Sequence, residues 1–163
     1  MRIKDRAKLA LCLSLVSLTV FSCGGEAAKP AENGILFHTD AVQAFTQVPI
    51  DVKAMGIDML SASGHKFNGP KGIGFFYMRK GLKNKSFVHG GQQERGRRAG
   101  TENVPGIVGI GKAAEIANAT MAERTAKEKE LRDYLIERIM NEIPYTKLNG
   151  HRTQRLPGNT NFC

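Results

Sequence analysis

Apolar and polar positions divide this chain into stretches of different character. Behind a basic start, Leu9 to Phe21 is a nearly unbroken apolar run. Short bursts of apolar, β-branched and aromatic residues follow at Ile35–Thr39, Asp58–Ser63 and Gly74–Arg79. Their length and the glycines and acidic residues that bound them predict three buried strands, with Asp40 at the end of the first. Gly69-Pro70-Lys71-Gly72-Ile73-Gly74 predicts a turn between the second and third strands. From Gly106 to about Ile143 the period changes. Leu131, Leu135, Ile136, Ile139, Met140 and Ile143 recur at helical steps, and Pro144 ends the helix. Glu123 with Lys127 and Glu128 with Arg132 are spaced as ion pairs on a solvated helix face. No internal repeat or low-complexity tract interrupts these elements.

The first 33 residues read differently from the rest. A basic Met1–Lys8 segment, the apolar run and a Cys-Gly-Gly boundary have the anatomy of a bacterial export signal. The run is too short to span a bilayer comfortably. Val20-Phe21-Ser22-Cys23 resembles a lipobox with Cys23 as the point of lipid attachment, although Phe21 stands where that box favours a small or β-branched residue. A buried apolar helix is the alternative for the same run. Gly24–Asn33, with Pro30, reads as a connector, so the expected organisation is a signal or lipoprotein-like segment over 1–33 and one domain over 34–163.

Composition narrows the choice of function. The 163 residues are 41% hydrophobic and 24% charged with 18 glycines, which suits a folded α/β domain rather than a disordered chain. The net charge of +9 invites an anionic partner, but four of the bases lie in the first eight residues. The later clusters, Arg79 to Lys85 and Arg95 to Arg98, lack the interleaved aromatics of a base-stacking surface, which argues against nucleic acid. Cys12, Cys23 and Cys163 match neither a zinc site nor a redox pair, so no metal is expected.

Three features carry candidate chemistry: Asp40 with Gln43, the stretch Ser61–Gly74, and Arg95–Thr101. Each has an ordinary structural role available when taken alone. Aspartate after a strand often caps a turn, and a glycine-rich segment is often only a turn. The glycines follow neither the dinucleotide order nor the P-loop order, so nucleotide binding is not indicated.

Taken together, these residues resemble the cysteine desulfurases, pyridoxal 5'-phosphate (PLP) enzymes of the class V aminotransferase group with fold type I. Ser61-Ala-Ser-Gly-His-Lys66-Phe-Asn-Gly-Pro-Lys-Gly-Ile-Gly74 is similar to the family's cofactor-lysine segment. His38-Thr-Asp-Ala-Val-Gln43 and His89–Thr101 are similar to its upstream and downstream motifs, in the family's order. The resemblance implies that Lys66 is catalytic and holds PLP as a Schiff base. It implies that Asp40 keeps the pyridine nitrogen protonated, the state in which PLP acts as an electron sink. Gln43 would bond the phenolic oxygen, and Ser63 and His65 the phosphate, with His65 also counted among the catalytic residues. Thr101 would reach the cofactor of a neighbouring subunit, which implies a homodimer.

The same resemblance implies conversion of L-cysteine to L-alanine and enzyme-bound sulfur for iron-sulfur cluster assembly, passed to a scaffold protein in the cytoplasm. Over Gly34–Cys163 it covers part of the large domain and a long helix leading toward the small domain. The family's stacking histidine, its substrate-carboxylate arginine and its sulfur-accepting cysteine loop have no counterpart here, and Cys163 is not assigned the last role. The chain is therefore expected to be a fragment without activity alone. Selenocysteine lyase or another class V enzyme is an alternative, as is a non-catalytic protein anchored to a membrane through Cys23.

Overall fold

A computed structural model describes residues Gly34–Cys163. The signal-like segment, its apolar run and Cys23 lie outside the described residues. Three strands form one sheet in the order β1-β2-β3: β1 is His38–Asp40, β2 is Met59–Ser63 and β3 is Gly74–Met78. β1 runs parallel to β2, with Asp40 opposite Ser61, and β3 is antiparallel to β2, with Phe76 opposite the same serine.

Alternation along β2 explains how the sheet is placed. Leu60 and Ala62 point to one face and are buried, while Ser61 and Ser63 point to the other. The buried face packs on Ala41 and Ile57, with Phe45, Phe75 and Tyr77 at its margin. Phe45 meets both Phe67 and Phe75 edge-on, with ring centroids 5.0 Å apart in each pair. These contacts join the sheet to a second apolar cluster of Phe67, Ile110 and Ala117.

The first strand is shorter than the Ile35–Thr39 run predicts, and it includes Asp40. Contact with β2 begins at Phe37, whose carbonyl accepts from the N–H groups of Asp58 and Met59. The Phe37 N–H in turn donates to the Asp58 carboxylate at 2.9 Å. Ile35 and Leu36 precede the point where β2 starts, and both are exposed. Hydrophobicity alone therefore overextends this strand.

The predicted single helix is two: α1, Val104–Ala119, and α2, Met121–Glu142. α1 starts ahead of Gly106 because Asn103 accepts from the Gly106 N–H at 3.1 Å and Pro105 is tolerated in a first turn. Thr120 separates the helices, its hydroxyl donating to the Ile116 carbonyl at 3.0 Å. Such back-bonding competes with the helix ladder and bends it. At the far end, Ile143 takes an extended conformation before Pro144, as expected.

The charge pattern on α2 also needs correction. Glu128 pairs with Arg124 at 3.1 Å, and Lys127 with Glu130 at 2.9 Å, rather than with the partners that spacing suggested. Arg132 is not solvated. It is buried between α2 and the C-terminal loop, donating to Asp133 at 2.9 Å and to the Leu156 carbonyl at 3.3 Å. Its guanidinium stays charged in every environment, so burial requires those oxygens. Among the described residues, no helix is long and apolar enough to cross a membrane.

Candidate functional site

Parallel pairing brings the ends of β1 and β2 to the same edge of the sheet, the edge where open α/β sheets bind ligands. Asp40 ends β1 there, exposed to solvent. Its Oδ1 accepts from the Val42 N–H at 2.9 Å, so it does cap the following turn. No described residue donates a hydrogen bond to Oδ2, which leaves that oxygen available for a ligand. The turn itself closes where Phe45 N–H donates to the Ala41 carbonyl at 2.8 Å. Ala41 is buried and Gln43 faces outward beside Asp40.

β2 leads straight into a tight 3₁₀ turn, Gly64–Phe67. Two backbone bonds fasten it: Gly64 N–H to the Ile73 carbonyl at 2.9 Å, and Gly69 N–H to the Gly64 carbonyl at 2.8 Å. Glycine is needed at both positions. A side chain at Gly69 would stand 2.9 Å from the Gly64 oxygen, and one at Gly64 would press on Ile73 and on Ile110 of α1. Asn68 completes the turn with a left-handed φ of 64°. Phe67 drives its ring into the core. Its burial turns the two preceding side chains, His65 and Lys66, out to solvent at the sheet edge.

The Ser63 hydroxyl and His65 Nδ1 are 2.8 Å apart, forming a small polar pair ahead of the lysine. The structure thus brings Asp40, Gln43, Ser63, His65 and Lys66 to one edge, at the ends of adjacent parallel strands and on the turns that follow them. Lys71, in the next turn, is also exposed and belongs to the return toward β3. Thr101 is not joined to this group. It lies exposed just before α1, and no hydrogen bond from a described residue connects it to the other five. The loop ahead of it is unusual, because Glu94, Arg95 and Gly96 all have positive φ. Gly100 N–H is held there by Gln93 Oε1 at 3.1 Å. Cys163 is exposed and bonded to the Lys147–Asn149 segment, a separate part of the chain.

Two further residues brace the strands that carry the site. Asp58, at the foot of β2, receives Phe37 N–H and the Arg79 guanidinium, the latter at 2.6 Å, and so ties all three strands together. Burial pushes its carboxyl up, but those two donors outweigh burial and hold it below the ordinary value of 3.8. His38 lies on the same face as Asp40, and its Nε2 is 2.9 Å from the Ser61 hydroxyl. The signal for His38 was its two-residue offset from Asp40 in a strand.

As a donor set, this edge fits PLP. A carboxylate oxygen without a described protein donor suits a pyridine nitrogen, a hydroxyl and imidazole suit a phosphate, and a primary amine suits an aldehyde. Among the described residues there is no cluster of side chains arranged for a metal ion.

Comparison with known proteins identifies the family. The family model for aminotransferase class-V matches residues 25–163. A cysteine desulfurase IscS of Methanosarcina thermophila is 61% identical over 137 residues, covering 84% of this chain and 33% of the relative. A cysteine desulfurase of Nostoc is 50% identical over 144 residues, covering 88% of this chain and 36% of that one. Among solved structures, a NifS-like protein from Rickettsia africae superposes with a TM-score of 0.74 at 34% identity, covering 78% of this chain and 35% of its own. Another NifS-like protein gives 0.70 at 42% identity, covering 75% of this chain and 33% of that protein. The chain spans about a third of the length of the curated relatives it matches. With a mixed α/β fold shared with these structures and a family match over most of its length, the chain belongs to the class-V aminotransferase family.

Proposed function

We propose that this chain carries the cofactor-anchoring part of a PLP-dependent cysteine desulfurase. The observation that supports it best is the placement of Lys66 on a glycine-tightened turn at the strand edge shared with Asp40. When bound, PLP supplies an electron sink that weakens bonds at the carbon bearing the substrate amino group. The protein's residues orient it. Lys66 offers the amine that holds the cofactor covalently, and the buried Phe67 beside it fixes the direction from which that amine approaches. Asp40 holds a proton on the pyridine nitrogen through its outward oxygen. Ser63 and His65 bind the phosphate, and Gln43 donates to the phenolic oxygen.

In the whole protein the substrate is L-cysteine, converted to L-alanine with transfer of its sulfur to an enzyme thiol, and the product sulfur serves iron-sulfur cluster assembly in the cytoplasm through a scaffold protein. Thr101 contributes to the site of a second subunit in a homodimer. Cys163 is not assigned as the accepting thiol, because it follows Gly158–Phe162, which resembles the start of the small domain rather than the sulfur-accepting loop. The membrane-anchored alternative rests on the basic start, the apolar run and Cys23, and no observation in Gly34–Cys163 favours it.

The test is to add PLP to the purified chain and record its visible absorption band. The reading requires a band that Lys66→Ala abolishes and Lys71→Ala leaves intact. A folded chain with no band, or a band that persists in Lys66→Ala, contradicts it.

A further inference from the structure

Resting on that cofactor reading, we infer that His38 is a positioning residue for Asp40, acting through Ser61. β1 has only three residues and pairs in parallel, a slightly weaker arrangement per residue than antiparallel pairing. Asp40 stands at its tip, so any shift of the strand moves the carboxylate. On the face that carries Asp40, His38 reaches diagonally across to the Ser61 hydroxyl, 2.9 Å from Nε2. Ser61 is the residue directly opposite Asp40. The imidazole also leans on Phe76 of β3, with ring centroids 5.9 Å apart and planes tilted by 39°. Phe76 is opposite Ser61 on the other side. One side chain therefore links all three strands on the row that holds Asp40.

Among the described residues, His38 to Ser61 is the one side-chain hydrogen bond between β1 and β2. It lies just before the backbone bond from Ala41 N–H to the Ser61 carbonyl, 2.9 Å, and the capping bond from Val42 N–H to Asp40. These three bonds fix the height of the Asp40 carboxylate relative to β2, and β2 continues directly into the Lys66 turn. His38 precedes that turn by a strand and has no hydrogen bond to it. Its effect on a cofactor would be exerted through the position of Asp40, where displacement on the order of 1 Å matters for a site of this kind.

The experiment compares His38→Phe, which keeps a ring against Phe76 but loses the bond, with Ser61→Ala, His38→Gln and the His38→Phe/Ser61→Ala double variant. PLP affinity is expected to fall roughly 3- to 10-fold in each of the first two, the size of one lost hydrogen bond. The double variant should fall no further than either single one, because both remove the same link. His38→Gln, whose amide still reaches the serine hydroxyl, should recover most of the affinity. The absorption band of bound PLP should move in the direction seen with Asp40→Asn, which a generally loosened sheet would not produce. Without PLP, hydrogen exchange should quicken at the Ala41 and Val42 amides and stay unchanged along α2.

Wild-type affinity and band position in His38→Phe would overturn the inference while leaving the cofactor reading intact. Additive losses in the double variant, or protection lost evenly across the domain, would overturn it equally. A wild-type chain that binds no PLP overturns the cofactor reading, and this inference with it.

Discussion

The two faces of the three-stranded sheet do opposite work. One face is apolar and closed, with Leu60 and Ala62 packed against Ala41, Ile57 and the aromatic group around Phe45. The other carries His38, Asp40, Ser61 and Ser63, with Phe76 more than half exposed. Residues of the closed face alternate with those of the open face along the same strands, so each face is built from its own set of side chains. Stability and chemistry are thereby separable by single substitutions.

Phe67→Ala is expected to strain that separation most, because Phe67 is buried while its neighbour Lys66 is not. It should cost about 3 to 5 kcal/mol in chemical denaturation and weaken PLP binding as well. Leu60→Ala, deeper in the closed face, should cost about 2 to 5 kcal/mol, and protein that remains folded should bind PLP with wild-type affinity. A loss of affinity without a loss of stability in Leu60→Ala would break the comparison between the faces.

Asp58 sharpens the comparison through pH. Its carboxyl is held below 3.8 in the folded chain, so its contribution to stability is fully present above that value. The contribution is lost as pH falls through the lower, folded value. Urea titrations across the acid range should show wild type losing stability there more steeply than Asp58→Asn. Equal slopes for the two proteins would remove Asp58 from its role as the pin at the base of the sheet.

The smallest effect is expected on the helices, away from both faces. Asn103→Ala should cost about 1 kcal/mol through loss of the α1 cap, and melting should report it without any change in PLP affinity.

Much of the site could be read from the residues because its chemistry is local in sequence. Ser63 ends β2, His65 and Lys66 lie in the turn that follows it, and the glycines that shape that turn are close by in sequence. Gln43 follows Asp40 within one turn. Strand positions were also readable, since apolar bursts of four to eight residues between turn residues are too short for a helix and suit a strand. The missed features depend on what stands across from a residue. Ile35 and Leu36 look like strand but have no opposite strand to pair with among the described residues. Arg132 looks like a surface charge until the C-terminal loop returns over it. Thr120 is compatible with a continuous helix, and only the path of the chain shows its hydroxyl turning back to Ile116. His38 and Ser61 are likewise separated by a long stretch of sequence and meet through parallel pairing.

The central claim, that the open face ends in a lysine anchor for PLP, is tested most directly by trapping the cofactor. The chain incubated with PLP is reduced with borohydride, digested, and the modified peptide is mapped by mass spectrometry. The account predicts phosphopyridoxyl mass on Lys66 as the dominant product, strongly reduced when Asp40 is replaced by Ala. Modification spread evenly over Lys66, Lys71 and the lysines of α2 would contradict it.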